Sequence, residues 1–183
     1  MTDLAHIYRV YQRAELLYDR PQVELALRQL AEQINRQLAE TNPLVLTVLN
    51  GGTIAAGILL PYLNFPLECD YIHASRYRGE TTGGERLHWY ARPQTPLRGR
   101  TVLLVDDILD QGDTLAALID YCQSEGAAAV YSAVMARKNI ATPQRGRADF
   151  IALELPDRYL FGMGLDYKGY WRNAAGIFAV EGI

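Results

Sequence analysis

The chain has 183 residues, 49% of them hydrophobic, which is enough apolar sequence to bury the core of one globular domain spanning residues 1–183. Its 18 basic and 21 acidic residues are interspersed and leave a net charge of -3, so bulk charge does not suggest a nucleic-acid or membrane-surface partner. Two isolated cysteines and three scattered histidines argue against a disulfide framework or a clustered metal site, and without a signal peptide or a bilayer-length apolar run we expect a cytoplasmic protein.

Two helices are predicted over residues 1–43. Apolar residues recur every three or four positions from Ile7 to Tyr18, which predicts a first helix with one buried face. Asp19 and Pro21 are typical of a second helix start, because aspartate accepts hydrogen bonds from backbone N–H groups there and proline fits a first turn. This helix should end near Pro43, and both helices carry core spacing without chemistry.

The first strands are predicted between residue 44 and mid-chain. Leu44–Leu49 is a buried strand followed by Asn50, Gly51 and Gly52, where backbone N–H groups at a helix start could approach an anion. Alone, this glycine pair is more typical of a tight turn, and it becomes a candidate half-site only beside a second polar strand end. Leu67–His73 is the next strand, and the long polar segment after it is typical of a lid or binding loop. Arg86–Ala91 is predicted as a short strand that returns from this segment.

The segment from Thr101 to Thr114 is the most informative in the chain. Thr101–Val105 is an unbroken apolar run, as in a strand buried on both faces of a parallel sheet, and a carboxylate-rich turn follows it. Asp106 and Asp107 could hold magnesium or a vicinal diol, while Gly112 and Thr114 at a helix start could bind a phosphate, so the turn indicates a sugar-phosphate site. Adjacent strand residues alternate, so the two aspartates should diverge unless the strand has already turned.

The C-terminal half continues the alternation of strands and helices. Strands are predicted at Ala129–Ala136, Phe150–Leu155 and Ile177–Val180, with an aromatic and glycine-rich pocket wall at Pro156–Trp171. This order predicts an α/β fold with a mostly parallel central sheet flanked by helices on both faces. A receiver domain also has paired aspartates after an apolar strand, but there the pair is expected after the first strand and not past mid-chain.

The residues of the acidic turn also carry a family resemblance. Val105–Thr114 resembles the phosphoribosyl-pyrophosphate signature of the type I phosphoribosyltransferases, and Asp110 resembles that of the 6-oxopurine (hypoxanthine-guanine) branch. Other segments fit the family in the same order: Asn50-Gly51-Gly52 as pyrophosphate loop, Ser75-Arg76-Tyr77 as the start of a mobile lid, Arg137-Lys138 at the position of a lysine for the purine 6-oxo group, Tyr159-Leu160 as base-stacking segment, Asp166 as metal-associated aspartate and Arg172 as pyrophosphate contact.

The resemblance implies a role for each of these residues. Asp106 and Asp107 would take the ribose hydroxyls, directly or through Mg²⁺, with Asp166 as a further metal-associated carboxylate. Asp110 would face ring nitrogen 7 of the purine as general acid or base. The 5′-phosphate would be wrapped by Asp110, Gln111, Gly112, Asp113 and Thr114.

Three positions depart from the family pattern. Asn50 stands where lysine is frequent, and Asp113 places an anion inside a phosphate cradle, where it would repel the ligand unless its carboxylate points away. Arg137 stands where lysine is usual, so it is the first candidate for the base contact and Lys138 the second.

The resemblance implies a magnesium-dependent transferase that joins hypoxanthine or guanine to phosphoribosyl pyrophosphate. Residues 1–43 and 150–183 would contribute to a small hood over the base pocket, and the protein would form a homodimer or homotetramer. The alternatives are an enzyme specific for xanthine or another base, and a non-catalytic regulatory protein that binds the donor or a nucleotide.

Overall fold

The computed structural model describes residues 3–76 and 87–182. Within these residues the helices are α1 Leu4–Arg13, α2 Arg20–Leu38, α3 Gly52–Leu59 and α4 Asp113–Ser124. The strands are β1 Glu15–Asp19, β2 Leu44–Val48, β3 Glu68–Arg76, β4 Leu87–Ala91, β5 Thr101–Leu109, β6 Ala129–Asn139, β7 Phe150–Pro156, β8 Leu160–Phe161 and β9 Gly176–Ala179.

Six strands form the central sheet, in the order β4-β3-β2-β5-β6-β7. All neighbours are parallel except β4, which returns antiparallel to β3 at the edge. Alternate residues of β5 face opposite layers: Leu103 and Val105 pack with α2 and α3, while Val102 and Leu104 pack with α4. The predicted α/β class, with a mostly parallel sheet and helices on both faces, is confirmed.

The first predicted helix is too long. α1 ends at Arg13, and Leu17 and Tyr18 lie in β1, which pairs antiparallel with β9. Their apolar spacing also suits a strand, and pairing with β9 gives their backbone groups partners that sequence spacing alone cannot reveal. The second helix begins as predicted: the Asp19 carboxylate accepts from Gln22 N at 2.9 Å, and the Gln22 side chain accepts from Asp19 N at 2.9 Å.

A second, three-stranded sheet has the order β1-β9-β8 and joins strands from the two segments expected to form the hood. An aromatic cluster packs α1 onto this sheet. Tyr11 stacks on Trp171 at a centroid distance of 4.7 Å, and Phe161 stacks on Phe178 at 5.4 Å. The Trp171 indole also donates to Ile7 O at 2.9 Å. The packing of α1 on this sheet positions the neighbouring chain at Tyr159 and Leu160, the predicted base-stacking segment.

The expected lid begins at the end of the described part of β3. Ser75 and Arg76 pair through their backbones with His88 and Leu87 of β4, while Tyr77 lies outside the described residues. The predicted returning strand is therefore present as β4. Across residues 3–76 and 87–182, no helix has both the length and the hydrophobicity needed to cross a bilayer.

Candidate active site

A cavity of about 600 Å³ opens at the carboxyl ends of β2, β5 and β6, where parallel sheets bind their ligands. It brings together most of the predicted site residues from four separate parts of the chain. They are Asn50, Gly51, Asp106, Asp107, Asp110, Gln111, Gly112, Asp113, Thr114, Tyr159, Leu160, Asp166 and Arg172. Lys138 also lines the cavity, whereas Arg137 does not.

The paired aspartates belong to the strand and not to the turn after it. β5 continues to Leu109 and keeps its register with β6 at Asp106 and Ile108, so the strand is four residues longer than the apolar pattern predicts. Each carboxylate accepts a hydrogen bond from the next backbone N–H, Asp106 from Asp107 N and Asp107 from Ile108 N, both at 2.8 Å. Both side chains are therefore held against the backbone of the strand, and the two carboxylates interact electrostatically, although strand alternation would separate them.

Burial is the main influence on the charge of this pair. Asp106 is 8% exposed, and burial raises its pKa well above the usual aspartate range, with repulsion from the Asp107 carboxylate as the second cause. Burial also raises the pKa of Asp107, against the opposing effects of its hydrogen bonds and of Arg172. A cation or a hydroxyl donor placed here would relieve the cost of ionising both groups, so the pair fits the role of ligand for a metal or a diol.

Asp106→Asn should stabilise the ligand-free protein at neutral pH. The folded state holds the Asp106 proton more tightly than the unfolded chain, so this group favours folding at low pH and loses that contribution as the pH rises through its raised pKa. We expect the variant to melt a few degrees higher at pH 7, where about 1 kcal/mol corresponds to roughly 2–4 °C. Near the ordinary aspartate pKa the two proteins should melt at similar temperatures.

Thermal unfolding followed by circular dichroism at both pH values measures this difference. Asp120→Asn is the matched control, because Asp120 is an exposed aspartate on α4, and its melting temperature should not change. A lower melting temperature for Asp106→Asn than for wild type at pH 7 would contradict the account of the buried pair.

Close backbone contacts hold the Asn50–Gly52 loop against β5. A methyl group at Gly51 would overlap the Asp107 carboxylate, and one at Gly52 would overlap the Val105 carbonyl oxygen. Gly164, at φ 110°, lies on the other side of the loop, where a side chain would overlap Gly51 O. The glycine pair is thus required for packing around Asp107, in addition to any approach to an anion.

Arg172 links two of the predicted acidic residues. Its Nη2 lies 2.5 Å from Asp166 Oδ1 and its Nη1 3.8 Å from Asp107 Oδ2, and Nη1 also donates to Gly164 O at 2.6 Å. Asp166 additionally accepts from Gly169 N at 2.6 Å. Asp166 is therefore engaged by protein donors, and Arg172 is held at the cavity wall with 34% of its side chain exposed.

The first candidate for the base contact is in the wrong place. Arg137 forms a two-point ion pair with Glu154, its partner across β6 and β7, at 2.6 and 3.1 Å. β6 extends to Asn139, so strand alternation sends the next side chain to the opposite face. Lys138 Nζ consequently lies in the cavity, 3.0 Å from Asp110 Oδ2, with only 14% of its side chain exposed. The geometry therefore favours the second candidate, Lys138, for the predicted base contact.

The predicted phosphate turn has the expected backbone geometry. Gly112 caps α4 in the left-handed region at φ 86°, and Asp113 and Thr114 form the first turn of the helix. The Asp113 carboxylate, 7% exposed, is paired with Arg145 Nη1 at 3.1 Å. Its charge is therefore countered by a partner from another loop, which the sequence did not indicate.

Sequence reasoning missed the segment that supports this turn. Gln144 Nε2 donates to Leu109 O, Asp110 O and Lys138 O at 3.1, 2.7 and 3.1 Å, and Arg145 N donates to Gln111 O at 2.8 Å. Gly146 packs directly on Gly112, where a side chain on either would overlap the other's backbone. Apart from the Gln144–Lys138 contact, which spans 6 residues, these contacts join positions 34 or 35 residues apart, and neither composition nor periodicity signals them.

The aromatic residues of the predicted pocket wall Pro156–Trp171 take different positions. Tyr159 lines the cavity and is 40% exposed, and Tyr167 contacts it edge-on at a centroid distance of 5.3 Å. Tyr167 is itself buried, and its hydroxyl lies 3.0 Å from His6 Nε2 of α1. Trp171 packs against α1, while Tyr170 stays 38% exposed. A flat ligand could therefore stack on a Tyr159 ring whose position is supported by its contact with Tyr167.

Comparison with known proteins gives the same picture. The sequence profile of the phosphoribosyl transferase domain matches residues 14–168. The hypoxanthine-guanine phosphoribosyltransferase of Streptococcus pyogenes (serotype M3) is 28% identical over 159 residues, covering 87% of this chain and 88% of that protein. A hypoxanthine-guanine phosphoribosyltransferase structure from Bacillus anthracis is 25% identical with a TM-score of 0.81, over 91% of this chain and 96% of that one.

A hypoxanthine phosphoribosyltransferase from Trypanosoma cruzi, solved in complex with the product IMP, is also similar. It is 25% identical with a TM-score of 0.83, over 94% of this chain and 97% of that one. The profile match covers most of the chain and includes the β2 loop, β5, the phosphate turn and Lys138. The chain belongs to the phosphoribosyl transferase domain family.

Proposed function

We propose that this protein joins hypoxanthine or guanine to 5-phosphoribosyl 1-pyrophosphate, giving IMP or GMP and pyrophosphate in purine salvage. One observation carries the choice of base: Lys138 Nζ and Asp110 Oδ2 lie 3.0 Å apart in the wall of the same cavity that Tyr159 lines. They offer a cationic donor and a carboxylate acceptor side by side. A 6-oxopurine presents a carbonyl oxygen and ring nitrogen 7 side by side on one edge, which is the complementary pattern.

The same pair explains discrimination against adenine. A lysine ammonium has three donors and no acceptor, so it suits a 6-oxo group and leaves a 6-amino group without a partner. Asp110 accepts the proton from ring nitrogen 7 as ring nitrogen 9 attacks the ribose carbon and the bond from that carbon to pyrophosphate breaks, and it returns the proton in the reverse direction. Tyr159 supplies a stacking face for the base, and Leu160 presents its backbone to the purine edge.

Magnesium fits the buried pair Asp106 and Asp107, since this ion is usually held by one or two carboxylates and completed by substrate oxygens and water. When bound, it would neutralise charge on the departing pyrophosphate. Asp166 is a weaker ligand candidate because Arg172 already engages it, and the described residues contain no group of three metal-ligating side chains. Arg172 and the Asn50–Gly52 loop bind the pyrophosphate from the protein side.

Each alternative function is favoured by particular residues of the site. A xanthine-specific enzyme would use the same Lys138 contact, so the structure leaves xanthine as an alternative base. A regulatory protein without catalysis would be favoured by Asn50, which lacks the lysine charge, and by Asp113 in the phosphate turn. Arg145 offsets the second of these arguments, because it counters the Asp113 charge.

Calorimetric titration with nucleoside monophosphates tests the proposal at the level of recognition. IMP and GMP should bind, and AMP should bind at least about tenfold more weakly, the equivalent of roughly 1.4 kcal/mol. UMP should also bind weakly, because a pyrimidine does not present ring nitrogen 7 to Asp110. Binding of AMP as tight as IMP would remove the base assignment, and no binding of any purine nucleotide would remove the proposed function.

We also propose a cytoplasmic homodimer or homotetramer whose partners are small-molecule substrates and not nucleic acid. Large apolar side chains remain exposed on the described surface, which supports burial against another copy. They include Leu4, Tyr8, Leu16, Leu25, Tyr71 and Tyr90. Light scattering on the purified protein should give a mass of two or four chains, and a monomer at micromolar concentration would contradict the expectation.

A further inference from the structure

We propose that Arg145 is a positioning residue of the phosphate turn: it neutralises Asp113, so that the N-terminus of α4 keeps its attraction for the ligand's 5′-phosphate. The inference rests on the proposed function, because it assumes that a phosphate binds at Gly112–Thr114. It adds a residue outside the predicted signature and explains how this chain tolerates an acidic residue there.

The electrostatic problem lies in the first turn of α4. A helix N-terminus carries a partial positive charge and unsatisfied N–H groups that favour a phosphate. Asp113 is the first residue of α4, and its carboxylate is nearly buried, so solvent screens its negative charge only weakly. Unpaired, that charge would cancel the partial positive charge of the helix N-terminus. A second anion, the phosphate, would then be repelled within a few ångströms.

Arg145 supplies the compensating charge from a fixed position. Its Nη1 lies 3.1 Å from Asp113 Oδ1, while 65% of its side chain remains exposed toward solvent. The backbone around it is tied to the turn: Arg145 N donates to Gln111 O at 2.8 Å, and Gly146 packs on Gly112. Gln144 fastens the same segment to the carbonyls of Leu109, Asp110 and Lys138. The guanidinium therefore does not depend on ligand binding to reach Asp113.

Compensation and simple bracing predict opposite results for the two partners. If the ion pair only braces the loop, removing either side breaks it, and Arg145→Gln and Asp113→Asn should lose phosphate affinity equally. If Arg145 compensates charge, only Arg145→Gln should lose affinity. Asp113→Asn removes the repelling anion and should bind the phosphate as well as wild type or better. The double variant Asp113→Asn with Arg145→Gln should bind it with about the affinity of wild type.

Calorimetry or NMR titration with IMP and inosine isolates the phosphate contribution, because the two ligands differ only in that group. We expect Arg145→Gln to weaken IMP binding about fivefold to tenfold, the size of effect expected for an exposed charge, and to leave the affinity for inosine unchanged. The loss should shrink at high salt, where charges on the surface are screened. Arg145→Lys and the double variant Asp113→Asn with Arg145→Gln should lie within about twofold of wild type by the same charge argument.

Four results would overturn the inference. Equal losses in Arg145→Gln and Asp113→Asn would show a bracing role, and unchanged IMP affinity in Arg145→Gln would show no role. An equal loss of inosine would place the effect at the base or ribose. Failure of the wild type to bind IMP would overturn the proposed function as well, and this separates the two claims. Thermal melts of each variant confirm that the compared proteins are folded.

Discussion

Asp110→Asn should lower turnover of hypoxanthine by about 10²-fold or more, the usual contribution of a positioned general acid or base. The substitution keeps the size of the side chain and its capacity to accept a hydrogen bond from Lys138, which lies 3.0 Å away. It removes the ability to take a proton from the purine. Steady-state kinetics should therefore show a fall in kcat, while calorimetry should show IMP affinity within a few-fold of wild type.

Asp157 provides the matched control for this variant. Its Oδ1 lies 3.9 Å from the same Lys138 Nζ, but its side chain is 59% exposed and outside the cavity lining. Asp157→Asn should keep nearly full turnover. If Asp110→Asn were also to keep wild-type kcat, Asp110 would be only a binding partner, and another group would have to move the proton.

Lys138→Met should lower kcat/KM for hypoxanthine and guanine by about 10- to 150-fold, because a hydrogen bond from a charged donor contributes roughly 1.5–3 kcal/mol. The lysine is largely buried, so water cannot readily replace it at the 6-oxo group. Adenine makes no such contact, so any residual adenine activity should change much less. The ratio of the two base preferences, measured in one assay, is the informative quantity.

Arg137→Met is the control, since Arg137 is the neighbouring cation on the same strand with its charge engaged by Glu154. It should leave kcat/KM within about threefold of wild type, as for exposed ion pairs in general. Equal losses for Arg137→Met and Lys138→Met would contradict the assignment of the base contact to Lys138.

The arrangement around Lys138 shows what the sequence could and could not predict. The apolar run Ala129–Ala136 predicts that Arg137 and Lys138 lie at the end of a strand, and the family resemblance places a base contact at that position. Choosing between the two residues required knowing that the strand continues through both, because alternation then places their side chains on opposite faces. β6 continues to Asn139, and no apolar pattern marks that continuation because the three added residues, Arg137, Lys138 and Asn139, are all polar.

β5 illustrates the same limit at the centre of the site. The buried strand, the acidic residues and the glycine before α4 were predicted, because hydrophobic runs and turn residues are local signals. The hydrogen bonds that hold the Asp106 and Asp107 carboxylates were not predicted, since they depend on backbone N–H groups within the strand. Arg145 and Gln144 could not be found at all from local patterns, because their partners are about 30 residues away.

Pyrophosphate release tests the central claim most directly. The protein is mixed with phosphoribosyl pyrophosphate, magnesium and one base at a time: hypoxanthine, guanine, xanthine, adenine or uracil. The account predicts release with hypoxanthine and guanine, none with uracil, and little with adenine, with IMP or GMP formed in equal amount. Release with xanthine alone would change the base, and absence of release with every base, despite measurable donor binding, would contradict an enzyme and favour a regulatory protein.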